Sequence, residues 1–158
     1  MPTPYAPIIA PGDLSNIIYP EVITEITRND GGVIATKAIA IGIAEVKMYL
    51  TRYDIVQLFG DATVTEANPE GIAATFSDPY LTQMCEYVCL WHLIQLANPN
   101  INYDSAKLLY EQTIDSLKRI QKGLADPRWP YQDTTGETTP KSDQVTVQQA
   151  PCRDNFYY

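Results

Sequence analysis

A single histidine, His92, occurs in the 158-residue sequence. Histidine is the usual proton carrier near neutral pH, so its scarcity removes most general acid–base schemes. Glycine is sparse as well, with 8 residues, and none of them forms a phosphate-cradling loop. Lys and Arg number 11 against 19 Asp and Glu, a net charge of −8, and no basic run occurs. That excludes tight binding to nucleic-acid phosphates, which needs clustered cations. It leaves room for DNA that must slide past without sticking. The three cysteines, Cys85, Cys89 and Cys152, form no regular framework and fit a reducing compartment. The first residues carry neither a basic n-region nor a continuous apolar core, so no secretion signal is expected, and no lipidation box is seen. Internal repeats are absent too.

What is present is ordinary in amount: hydrophobic residues make up 45% and charged ones 19%. A chain of this size suits one domain and buries roughly two-thirds of its unfolded surface without a staple. The apolar residues concentrate between Gly31 and Phe59, after the turn signal Asn29-Asp30-Gly31-Gly32. Ile34, Ala38, Ile41 and Met48 follow one helical stripe, and Ile39, Ile43, Val46, Leu50 and Tyr53 the adjacent one. A helix apolar around most of its circumference is usually central. We therefore expect one long helix up to Gly60, its first half covered on nearly all sides. Its charged second half should carry Tyr49, Arg52 and Tyr53 outward. Thr36, Lys37, Gly42 and Glu45 interrupt the run too often for a membrane span, which takes about 20 apolar residues.

The rest of the chain is read around that helix. Residues 1–11 hold Pro2, Pro4, Pro7 and Pro11 and form an extended arm. Tyr5, Ile8 and Ile9 can strap it over its own domain or over a neighbouring subunit. Asp13 caps a first short helix, about 13–19, and Pro20 opens a second, about 20–28. A loop over 60–77 is long for a compact domain. Asp78-Pro79 starts a helix that runs to about Ala97, and Asn98-Pro99-Asn100 ends it. The last helix spans about 102–122, with Lys118, Arg119 and Lys122 near its C-terminus and Gly123 just beyond. The predicted fold is all-α: four to five helices in a small bundle around the long one. The domain proper covers 12–126, and 127–158 is a Pro/Thr-rich tail. Val145 and Val147 alternate with Thr146 there as a possible short strand, and the tail ends in Phe156-Tyr157-Tyr158.

Cys85, Cys89 and His92 fall at i, i+4 and i+7, on one face of the third-quarter helix. Three metal-type ligands facing one way suggest zinc, or a thiol nucleophile with a base. Met84, Val88 and Trp91 share that face, however, and free cysteine behaves as a small buried hydrophobe. The core reading is therefore preferred, with no catalytic, cofactor or metal residue assigned. Scattered carboxylates (Glu21/Glu25, Glu66/Glu70, Asp54, Asp61) read as solvated faces. Tyr and Arg, by contrast, are enriched at protein interfaces. Arg52, between Tyr49 and Tyr53, is the leading partner contact, followed by Trp129, Tyr131, Phe156, Tyr157 and Tyr158.

The layout resembles the small helical head–tail connector (adaptor) proteins of tailed bacteriophages, in their Mu-like branch. The resemblance is carried by Asp13-Leu14 with Ile17, Ala40 through Ala44-Glu45-Val46, and the signature Tyr49-Leu50-Thr51-Arg52-Tyr53. It continues through the Leu81-to-Leu96 helix with Tyr87 and His92-Leu93, then Tyr103, Tyr110 and Ile120-Gln121-Lys122-Gly123. It covers about Gly12 to Leu124. Asp54-Ile55-Val56 stands where such proteins often have a proline, and the Pro/Thr tail has no counterpart. The resemblance implies a non-enzymatic virion protein at the head–tail junction, assembled in the host cytoplasm. It implies docking on the portal protein as a ring, often twelve-fold, contact with a tail-completion protein, and DNA passing without specific binding. It implies no membrane and no cofactor. A helical adaptor of the cytosol, unrelated to phage, would use the same aromatics.

Overall fold

The computed structural model describes residues 4–67, 69–97 and 103–132. The protein is all-α. A short 3₁₀ helix, Pro11–Asn16, leads into α1 (Pro20–Ile26), α2 (Val33–Tyr49), α3 (Ile55–Phe59), α4 (Pro79–Ala97) and α5 (Asp104–Gln121). No strand occurs among the described residues, only isolated bridges at Tyr53–Tyr131 and Asp61–Ile72. The expected strand near Val145 and the chain's last aromatics lie outside the described residues.

Local chemistry sets most helix starts. Asp30 accepts from the amides of Gly32 and Ile34, at 3.0 and 2.6 Å, and so opens α2. Pro20 is the first residue of α1, after an extended Tyr19. Asp78 accepts from the Tyr80 amide at 2.7 Å to open α4. Asp13 behaves differently from the expectation. It sits inside the 3₁₀ helix and accepts from the Ala10 amide behind it, at 2.7 Å, rather than from amides ahead.

The long central helix is two helices. α2 stops at Tyr49, and α3 begins only at Ile55. Between them Asp54 turns its carboxylate onto the new helix, accepting from the Val56 and Gln57 amides at 3.1 Å each and from Gln57 Nε2 at 2.8 Å. Those bonds hold its carboxyl below the usual carboxylate range, the Gln57 amide contributing most. The Asp54 amide is taken by the carbonyl of Pro130, at 2.9 Å. A helix continuing through Asp54 would direct that amide to its own fourth preceding carbonyl, so the break and the docking of residues near 130 exclude continuation.

Helix α2 packs mainly on α4, and α5 packs on α4 and also touches α2. Gly42 marks the closest approach. A Cβ there would lie 2.7 Å from Cys89 Sγ and 2.9 Å from its Cα. Cys89 in turn directs its thiol to the Ile39 carbonyl, at 3.7 Å. The arm joins the same core. Ile9 is fully buried, and the Tyr5 amide donates to the Glu70 carbonyl at 3.0 Å, so residues 5–9 strap their own domain.

The expectation that α2 is covered on nearly all sides in its first half is corrected. Ala35, Ala38, Ile39, Gly42 and Val46 are buried. Val33, Ala40, Ile41, Ala44 and Met48 face outward along the whole helix, Val33 and Met48 each 69% exposed. Covering a helix on every side needs neighbours on every side, and the fold supplies α4, α5 and the arm on only part of the circumference.

Candidate functional site

The interface residues expected from sequence converge at the C-terminal end of α2, but only some of them reach the surface. Tyr49 is half-buried against the core, and Arg52 is exposed. Tyr53 is 2% exposed and Trp129 1% exposed, so both are core residues rather than outward contacts. Tyr131 is 46% exposed. Phe156, Tyr157 and Tyr158 lie outside the described residues.

Trp129 explains the correction. Its indole N–H donates to Asp78 Oδ2 at 2.6 Å. Its ring meets Tyr53 edge-on at 5.6 Å, and Tyr131 stacks on Tyr53 at 5.0 Å. Aromatic pairs favour both arrangements. Burial pushes the Tyr53 hydroxyl up to about 12, with Tyr131 and Asp126 adding to the rise. The backbone follows the rings: the Gln132 amide donates to the Arg52 carbonyl at 3.2 Å. Residues 127–132 are thereby fastened to the α2–α3 turn, as a continuation of the domain. A Pro-rich composition signals an extended backbone and says nothing of whether one tryptophan in it finds a pocket.

Arg52 lies beside this latch. A Cβ at Gly123 would fall 2.8 Å from Arg52 Nη1, so the guanidinium crosses close over that left-handed glycine, φ 72°. Asp126 is held below the usual carboxylate range by the Arg128 amide, then by the Tyr131 hydroxyl and the charges of Arg128 and Arg52. The surface here is thus a cation beside an exposed aromatic, rimmed by a carboxylate. It suits a polar protein contact and contains no nucleophile–base pair.

A second cluster was missed by sequence reasoning. Glu45 on α2 lies between His92 on α4 and Tyr110 on α5. His92 Nε2 is 2.6 Å from Glu45 Oε2, and the Tyr110 hydroxyl donates to Glu45 Oε1 at 2.8 Å. Burial and the bond to Glu45 both push the Tyr110 hydroxyl upward. Trp91 stacks on Tyr110 at 5.6 Å. With both carboxylate oxygens engaged, Glu45 ties three helices together at a half-buried place. The partners are 47 and 65 residues away in sequence, so no local pattern announces them.

His92 therefore faces Glu45, while Cys85 and Cys89 point into the core and are fully buried. Burial raises both thiols, Cys89 to about 12. Among the described residues no group of three or more His, Cys, Asp or Glu is placed to hold a metal ion. Thiolate is the reactive and ligating form, so both thiols should be inert. In a Cys152→Ser background, a thiol reagent at pH 8 is expected to modify less than about a tenth of an equivalent in the native protein and both cysteines in urea. Rapid native labelling would contradict the packing.

Comparison with protein-family models, curated proteins and solved structures finds no match. No helix among the described residues is long and apolar enough to cross a membrane.

Proposed function

We propose that this chain is a structural head–tail connector of a bacteriophage or prophage, docking on a portal as a ring and extending the DNA channel toward the tail. The observation that carries the reading is a coincidence of place. Arg52, exposed within the Tyr49–Tyr53 signature, and Tyr131, two residues the connector reading assigns to contacts, lie together beside the end of α2. The Gln132 amide is bonded to Arg52 itself. An exposed arginine beside the exposed Tyr131 gives one end of the subunit a polar contact surface. The net charge of −8 supports a lining from which DNA phosphates are repelled rather than held. Residues 5–9 are strapped to their own domain. The portal, the tail-completion protein and neighbouring copies are the partners in this reading, and the virion is its location.

The test is co-expression with the portal protein encoded in the same genome, followed by electron microscopy of the purified particles. An added ring of density on one end of the portal, with its copy number, is the expected result. Clean portal rings beside folded connector would transfer the assignment to a helical adaptor unrelated to phage. Arg52→Glu should abolish the added ring. Because Arg52 is exposed, its substitution should shift stability by less than about 1 kcal/mol. Unfolding of the variant would instead make Arg52 a structural residue.

A further inference from the structure

Folding gathers cations that the sequence scatters. Residues 49–53 and 116–132 together hold Arg52, Lys118, Arg119, Lys122 and Arg128 against one carboxylate, Asp126. The remainder of the chain holds 6 of the 11 Lys and Arg and 18 of the 19 Asp and Glu. Asp54 and Asp115 adjoin the two stretches, and Asp54 has both oxygens turned onto α3. In the fold the two stretches are one place. The Arg52 guanidinium crosses over Gly123, just past the end of α5, where Lys118 and Arg119 fill the last turn and Lys122 follows. The Arg128 amide donates to Asp126 at 2.9 Å, and the charges of both Arg128 and Arg52 act on that carboxylate. All five cations are exposed, and none is in an ion pair among the described residues. The helix dipole accounts for cations at the end of α5. It does not account for Arg52 and Arg128, which other parts of the chain bring there.

Beside them lies a hollow of about 450 Å³, between the start of α4 and the end of α5. Arg119 and Tyr80 form part of its wall, and Ile120, Ala125 and Pro127 give it an apolar lining. We propose that this end of the bundle binds an acidic segment of a partner protein, with carboxylates on the exposed cations and one apolar side chain in the hollow. Clustered arginines are a recurring means of reading acidic motifs, because the guanidinium fork matches a carboxylate.

A nucleic acid fits this surface less well. Asp78 and Asp126 both line the hollow. Asp78 is fixed there, with one oxygen on the Tyr80 amide and the other on the Trp129 indole. A regular chain of phosphates would bring charge against both carboxylates, whereas a peptide can set its acidic side chains around the rim. A strand long enough to leave the patch also meets the repulsion of a protein with net charge −8. The inference names the partner's chemistry at the contact proposed above, and rests on that reading only in expecting a protein there.

The test is fluorescence anisotropy of a labelled short peptide, Glu and Asp around one central Leu, titrated with the full chain. A dissociation constant of about 100 µM or tighter is expected at about 50 mM salt, weakening more than about fivefold at about 500 mM. The same peptide with Gln and Asn for its acids should not bind, and with Gly for its Leu it should bind about fivefold more weakly or worse. Arg119→Glu/Lys122→Glu should weaken binding more than about tenfold. Lys37→Glu/Lys107→Glu changes the net charge equally at other exposed positions, and should weaken it less than about threefold. Helicity should be unchanged in both, since all four side chains are on the surface. Four outcomes overturn the proposal: no binding of the acidic peptide, equal binding of the neutral one, equal loss in the two double variants, or tighter binding of an oligonucleotide of the same charge. The assay needs no portal, so its failure is distinct from a failure to form the added ring.

Discussion

Trp129→Ala is expected to destabilise the protein by about 3–5 kcal/mol, the usual cost of emptying a tryptophan site in a core. Three contributions make the effect large. The side chain is 1% exposed and sits among Tyr53 and the core. Its indole N–H satisfies Asp78 Oδ2 at 2.6 Å, and Asp78 also opens α4. Its removal frees the neighbouring backbone, so the bonds from Asp54 to Pro130 and from Gln132 to Arg52 lose their anchor. Since domains have only about 5–15 kcal/mol in total, a large share of the fold's stability then depends on a residue in a stretch that reads as tail. Urea denaturation followed by circular dichroism measures it. Trp129→Phe separates the contributions: it keeps most of the apolar body but loses the donor, and should cost about 1–2 kcal/mol. A midpoint unchanged in Trp129→Ala would mean that residues 127–132 do not close the core.

The second large effect is expected at Gly42. Glycine in a helix is normally improvable, by about 1 kcal/mol on replacement with alanine. Here the added Cβ would meet Cys89 Sγ at 2.7 Å and the Cys89 backbone at 2.9 Å. Backbone cannot swing aside, so α2 and α4 would have to separate along the principal contact of the bundle. Overpacking of this kind costs about 1–3 kcal/mol and outweighs the propensity gain. Gly42→Leu should therefore lower stability by about 3 kcal/mol or more, while Lys37→Leu on the outer face of the same helix should change it by about 0.5 kcal/mol or less. Equal effects at the two positions would show that α2 is not held against α4 in this register.

Both predictions sit where long-range geometry decides, and much of the fold was readable without it. The starts of α2 and α4 were announced by Asp30-Gly31-Gly32 and Asp78-Pro79. The end of α5 was announced by Gly123. Caps and turns act over three or four residues, so the sequence carries them directly. The all-α class and the burial of Cys85 and Cys89 followed from 3.6-residue periodicity over whole helices, and both stand in the structure.

The candidate site was legible only in part. Arg52 and Tyr131 could be named from residue type, because exposed arginine and tyrosine are common at contacts. Tyr53 and Trp129 are aromatics of the same interface-prone kind, yet both are buried and pack edge-on against each other. The break in the central helix depends on a carbonyl 76 residues away, that of Pro130. The tie of Glu45 to His92 and Tyr110 likewise joins three helices that share no local pattern.

Sequence by itself determined where α1, α2 and α4 begin, which residues share a face and how the chain is charged. Those properties arise from neighbours within a turn or two, or from a sum over residues. Tertiary structure alone decided which face of α2 is covered, where that helix stops, and whether an aromatic is a contact or a core. Periodicity aligns residues on a face, but burial is fixed by the element that arrives to cover it, and that element comes from elsewhere in the chain.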